Sequence, residues 1–168
     1  KPLLDLAAKR APDASSATIK RLYRVQGDWH ARTGDRNAAM DAYSKADSVR
    51  TLTHGAAHGN AWRGAHARTT EAFLRENELL RARQMLRRWQ DDFPADQARG
   101  YLSLLRMRYW MQREKYPQAI AVANDLLTVS PSSPYADRLV NLIGRCEEAS
   151  GHVRRAIAAY QSLLTDYP

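Results

Sequence analysis

Cysteine is nearly missing from this chain. Cys146 is the only one in 168 residues, so no internal disulfide can form. That neither demands a reducing compartment nor excludes an oxidising one. β-Branched apolar residues are scarce too: valine and isoleucine together number 10, against 27 alanines and 18 leucines. Strands favour the former and helices the latter, so the chain reads as all-helical. No run approaches the ~20 apolar residues of a bilayer span, so no membrane-spanning helix is predicted. Lysine is the rare cation, with 21 arginines to 5 lysines in a net charge of +8. Arginine stays charged and forks onto carboxylates and phosphates, although a genome-wide codon bias toward Arg and Ala is the favoured account of the excess. Also missing are a phosphate-binding loop, a Gly-x-Ser-x-Gly elbow and a paired-carboxylate arrangement. No catalysis, cofactor or metal is assigned to this segment.

What is present is a repeat. Ala39, Ala82, Ala119 and Ala156 stand 43, 37 and 37 residues apart. Four residues after each comes Tyr43, Leu86, Ala123 or Tyr160, and seven after each comes Ala46, Trp89, Leu126 or Leu163. Positions i, i+4 and i+7 share a helix face, so each unit carries the same buried stripe. Twelve after each alanine comes Thr51, Pro94, Pro131 or Pro168, where proline stops a helix. Five before each comes Gly34, Asn77, Glu114 or Gly151, the place for a tight turn, since Gly and Asn tolerate left-handed backbone. Twelve before each comes Gly27, Thr70, Met107 or Gly144, where a small residue lets two helices approach. Each unit is therefore a first helix, a turn, a second helix and a Pro-marked exit. The second helices are predicted over 36–49, 79–92, 116–129 and 153–166. Leu4, Ala7 and Pro12 repeat the spacing of Tyr160, Leu163 and Pro168, so the chain is expected to begin inside the second helix of an earlier unit. With Lys1 in place of Met, the segment is expected to be cut from a longer protein, with a further repeat or domain after Pro168.

These residues resemble the tetratricopeptide repeat family, a helix–turn–helix unit of about 34 residues. The fullest match is 137–168, through Gly144, Gly151, Ala156, Tyr160 and Pro168. Residues 20–51 match through Gly27, Gly34, Ala39, Tyr43 and Ala46, and residues 100–131 through Tyr116, Ala119 and Pro131. Residues 63–94 are weakest, with Thr69 and Thr70 replacing a large-then-small pair. The connector Pro131–Ala136, followed by Leu139, Leu142, Ile143 and Gly144, is similar to bacterial cell-envelope members such as TolA-binding division coordinators and outer-membrane assembly lipoproteins. The resemblance implies an all-α right-handed solenoid, with a tail at 1–18 and repeats at 19–51, 52–94, 95–131 and 132–168. The extra residues of the 43-residue step are expected around Thr51–Asn60. The compartment stays open between a bacterial periplasm or envelope and the cytoplasm.

Projected onto the family's pattern, the first helices line a concave face with Arg21, Arg24, Asp28 and Arg32, then Glu71, Leu74 and Arg75. The third unit adds Tyr101, Leu104, Arg108, Met111 and Gln112, and the fourth adds Arg138, Asn141, Arg145 and Glu148. The resemblance thus implies a protein–protein interaction scaffold. An acidic peptide or helix would pair its carboxylates with the guanidiniums and anchor on Tyr101, Leu104 and Met111. The Lys–Asn clamp of chaperone-binding members is not supported, because Asp28, one turn from Arg24, would repel a terminal carboxylate. Two alternatives are a basic solenoid that binds nucleic acid and the helical scaffold of a larger envelope enzyme. The densest basic cluster, Arg81, Arg83, Arg87 and Arg88, lies beside an inward stripe of Ala82, Leu86 and Trp89. It reads as a solvated face, and no aromatics alternate with it as a base-stacking platform requires. Nucleic acid is therefore an unfavoured partner.

Of the remaining candidates, His54 and His58 have metal-ligand spacing and His66 follows. Gly55 and Gly59 weaken a helix there and no Cys or carboxylate completes the set, so a Gly-rich connector is favoured. Cys146 reads as a buried small hydrophobe. Trp89 reads as core, Tyr109 and Trp110 as shared between core and inner surface, and Asp91–Asp92 as a solvated helix end. The oligomeric state is not legible.

Overall fold

The turn and stop signals are obeyed almost to the residue. The computed structural model describes residues 16–49 and 59–167, and among these it contains eight α-helices and no strand. They are α1 (Ser16–Arg32), α2 (Arg36–Ser48), α3 (Gly59–Arg75), α4 (Leu79–Asp92), α5 (Tyr101–Gln112), α6 (Tyr116–Val129), α7 (Ala136–Ala149) and α8 (Val153–Asp166), with a 3-10 segment at Pro94–Ala98 between α4 and α5. The second helices α4, α6 and α8 match the predicted spans end for end, and α2 stops one residue short. The leading tail 1–15 and most of the long connector, with His54 and His58, lie outside the described residues.

Four turns join the helices of each pair, and all four are built alike. Gly34, Asn77, Glu114 and Gly151 all have positive φ, between 55° and 82°. The amide after each donates five residues back: Asp35 to His30 O, Glu78 to Phe73 O, Lys115 to Trp110 O and His152 to Glu147 O, at 2.8–2.9 Å. The positive-φ residue itself donates three back, as Glu114 N does to Met111 O at 2.9 Å. This pair of bonds satisfies carbonyls that the first helix leaves over. Three second helices also end alike. Phe93, Ser130 and Tyr167 sit near φ −135°, ψ 70°, the extended backbone that a following proline imposes. Thr51 stands at the proline position of the first unit, and α2 ends without that device.

Within each pair the repeated alanine seats the helices together: Ala39, Ala82 and Ala119 are 0% exposed and Ala156 is 4%. The volumes facing each other are traded. A Cβ on Gly27 would run into the Tyr43 ring, and one on Gly144 into the Tyr160 ring. In the middle pairs Thr70 and Leu86, and Met107 and Ala123, fill the same positions and are buried. Leu74, Ala82, Leu86, Trp89 and Phe93 of the second pair share a core with Leu102, Leu105 and Tyr109 of α5. Leu104, Met107, Ala119, Ala123 and Leu126 of the third share one with Leu139 and Cys146 of α7. α3 thereby lies beside α5, and α5 beside α7.

The first pair follows a different rule. In a simple stack α2 would lie against α3. Here α1 and α2 pack on α4, the 3-10 segment and α6, through a small core of Ala31, Ala39, Tyr43, Ala98 and Val129. The side chains explain it. Where α7 offers Leu139, Leu142 and Cys146 to α6, α3 has Ala65, Arg68 and Ala72 at the same register. Such a face has few methyl groups to bury, so little free energy favours covering it.

Candidate functional site

Three first helices side by side make a broad surface, and the groove residues inferred from the sequence divide on it. Arg75 on α3, Arg108 and Gln112 on α5, and Arg138, Asn141 and Arg145 on α7 are exposed. Arg75, Arg108, Arg138 and Arg145 form no ion pair among the described residues. Arg108 and Arg145 stand 37 residues apart at one register of adjacent helices. Tyr101 and Met111 are half-buried. Leu104, expected as an apolar anchor, is 7% exposed and belongs to the core, and Leu74 is 0% exposed. Both are corrections: their register turns them toward the second helices, where a ligand cannot reach.

Tyr101 ties this surface to the frame. Its hydroxyl donates a short hydrogen bond to Glu71 Oε1, and its ring lies 5.3 Å from Tyr135 and 6.3 Å from Trp89. Burial first, and the Glu71 bond second, push its pKa up to about 12. Gln112 Nε2 donates to Leu74 O at 2.8 Å, so this amide ties α5 to α3. Glu148, also projected onto the face, accepts from Tyr160 at 3.1 Å.

The remaining candidates, all on α1, sit at the junction with α4 and α6. Arg24 lies 3.5 Å from Asp91 and 4.0 Å from Asp28, and Arg32 lies 3.8 Å from Asp125. Lys20 Nζ donates to Asp92 O at 2.6 Å. Arg21 is exposed. Tyr43 donates to Asp28 at 3.0 Å, and its pKa is driven far up by burial and then by the Asp28 charge. Between these elements lies a cavity of about 30 Å³, lined by Asp28, Arg32, Tyr43, Gln97, Arg106 and Asp125 among others. It has room for about one or two waters and not for a substrate. Burial lowers the pKa of Arg106, against the charges of Asp28 and Asp125. Burial raises that of Asp125, against Arg32 and Arg106. Mixed charges in so small a space suit a structural joint.

A second polar cluster escaped the sequence reading. Asp96, 4% exposed, accepts from Trp89 Nε1 at 2.8 Å and from Arg63 Nε at 3.1 Å, with Arg99 at 3.5 Å. The Arg63 guanidinium lies 4.5 Å from the centre of the Phe93 ring. Next to it, His66 Nε2 and Asp92 Oδ2 are 3.2 Å apart. Asp91 and Asp92, expected as a solvated helix end, are thus engaged with α1 and α3. Asp96 sits two residues past Pro94, in the Pro-marked exit of the unit, where no periodic signal marks it.

Arg81, Arg83, Arg87 and Arg88 are exposed, as expected, and Trp89 is buried. Tyr109 is buried and Trp110 half-buried. Cys146 is 0% exposed, and burial pushes its thiol up to about 11, which leaves little thiolate at neutral pH. Among the described residues no cluster of three or more His, Cys, Asp or Glu could hold a metal, and no helix is long and apolar enough to cross a membrane. No family model, no curated protein and no solved structure matches the chain.

Proposed function

We propose that this chain is a protein–protein interaction scaffold of the tetratricopeptide type, a right-handed solenoid whose α3, α5 and α7 surface holds an acidic peptide or helix of a partner. The four identical turns, the four buried alanines and the Gly–Tyr pairs support the repeat assignment. The observation that carries the function is the set Arg75, Arg108, Arg138 and Arg145, exposed and without carboxylate partners among the described residues. By contrast Arg24 and Arg32 are already matched to aspartates, so the binding face consists of the last three first helices. A planar guanidinium takes a carboxylate bidentately. Charge alone is screened at physiological salt, where the Debye length is ~8 Å, so the half-buried Tyr101 and Met111 supply the apolar part of the contact.

The test is fluorescence anisotropy with labelled peptides that carry two carboxylates beside one Leu or Phe. Arg108→Glu is expected to weaken binding by about tenfold or more, the effect of losing a charged hydrogen bond worth ~1.5–3 kcal/mol. Arg87→Glu, on the solvated face of α4, is expected to leave it unchanged. Equal losses for both, or a loss for Arg87→Glu alone, would remove this face as the binding surface.

A further inference from the structure

Side chains on the α3, α5 and α7 surface run in rows across the helices and in columns along them, and the two directions hold different chemistry. Eleven residues before the repeat alanines the row is Glu71, Arg108 and Arg145. Seven before, it is Arg75, Gln112 and Ala149, and eighteen before, it is Gly64, Tyr101 and Arg138. Only the first row holds two cations, and it runs onto the Glu71 carboxylate, which accepts from Tyr101. An acidic strand laid across all three helices would therefore meet like charge at α3. It would also bring backbone amides and carbonyls that need partners. Of the two side-chain amides projected onto this face, Gln112 already donates to Leu74 O, which leaves Asn141 for that task.

The column along α5 is different. Tyr101, Arg108 and Met111 are spaced i, i+7 and i+10, so they line one side of the helix. Arg108 is exposed, and the two side chains flanking it are half-buried. At a rise of about 1.5 Å per residue, Tyr101 lies about 10.5 Å before Arg108 and Met111 about 4.5 Å beyond it. A second α-helix laid along α5 has the same rise, so residues at that spacing on one of its faces meet the three in turn. Its backbone groups are satisfied internally, and it asks only charge and apolar contact of the surface. α5 has α3 on one side and α7 on the other, so the exposure of Arg108 is set with both neighbours in place. Arg145 stands at the same register on α7 and adds a second guanidinium at that level.

We propose that the partner segment is an amphipathic α-helix lying lengthwise on α5, with a carboxylate at the level of Arg108 and Arg145 and large apolar residues at the levels of Tyr101 and Met111. This rests on the acidic-partner reading above and adds the partner's conformation and direction. A helix parallel to α5 then carries an apolar residue, an acid seven residues on and a second apolar residue ten or eleven on. An antiparallel one carries the acid three or four residues after the first apolar residue.

The experiment is fluorescence anisotropy of the whole chain with labelled Ala–Gln peptides of about 20 residues, long enough to form a helix. In-phase peptides place Leu, Glu and Leu at i, i+7 and i+11, or at i, i+4 and i+11. A shifted peptide of the same composition moves the Glu from i+7 to i+9, the far side of the helix. A third puts Pro at the centre of the in-phase peptide, which breaks its helix. One in-phase peptide is expected to bind about tenfold tighter than the shifted and Pro forms. Met111→Ser is expected to shrink that advantage, with thermal melts to check that the variant folds. Carbon-13 shifts of the labelled peptide are expected to report helix in the complex. Equal binding of all the peptides, lost with Arg108→Glu, would overturn the helix and leave an extended acidic partner on the same face. No binding by any of them, nor by the two-carboxylate peptides above, would remove the acidic-partner reading and this proposal with it.

Discussion

Glu114 occupies a backbone conformation that an L-residue adopts at a cost of about 1–2 kcal/mol, at φ 55°. Gly34 and Gly151 hold the same place without that cost. Glu114→Gly is therefore expected to raise stability by about 0.5–1 kcal/mol, after the extra freedom of glycine in the unfolded chain is subtracted. A denaturant midpoint that falls would show that Glu114 makes a compensating contact. The close approaches give a paired prediction. Gly27→Ala drives a methyl into Tyr43, which is 4% exposed and hydrogen-bonded to Asp28, so the ring has nowhere to go. The expected loss is about 1–3 kcal/mol. Gly144→Ala meets Tyr160, which is half-buried and can swing outward, so its loss should be the smaller. Equal midpoints for the two variants would contradict this.

Among elements, the short 3-10 segment does more than connect. It carries Asp96 under α4 and α3, where one carboxylate serves Trp89, Arg63 and Arg99. Its neighbours Ala95 and Ala98 form the floor on which α1 and α2 rest. Asp96→Ala takes the acceptor from a buried indole and the counter-charge from a half-buried guanidinium, a change of the kind that costs about 3 kcal/mol. Asp96→Asn keeps an acceptor for Trp89 and should cost less. Urea melts of both variants decide it, and a neutral Asp96→Ala would mean that the segment merely passes through.

For the whole molecule, alkaline pH is the weak side. Tyr101 has its pKa raised from 10.0 to about 12, and Cys146 from 9.0 to about 11. In both cases the native state favours the neutral form. Their contribution is complete below the unfolded values and is lost as pH rises through the window to the folded ones. Stability is thus expected to fall from about pH 9 to 12, and Tyr101→Phe to flatten the upper part of that fall. Chemical denaturation at fixed pH steps measures it, and a wild-type profile level through this range would refute the assignment.

Local order was legible because it is short-range. The left-handed turn, the proline exit and the i, i+4, i+7 stripe each involve residues within one turn or one pair, so Ala156, Gly144 and Pro131 announce them without knowledge of the rest. The candidate face was legible in part: Arg108 and Arg145 share a register, and the 37-residue spacing puts them on neighbouring helices. Leu104 was misplaced because a projected pattern gives a helix face, whereas burial depends on what lies opposite. The seat of α1 and α2 was decided only in tertiary structure. Residues there satisfy the repeat within their own pair, yet the next pair offers Ala65, Arg68 and Ala72 where apolar side chains would have fixed the stack. Apolar burial is not directional and goes to whichever surface can be covered. So Ala31, Ala39 and Tyr43 came to rest on Ala98 and Val129, and Arg24 and Arg32 found Asp91 and Asp125, partners 67 and 93 residues away that no local pattern names.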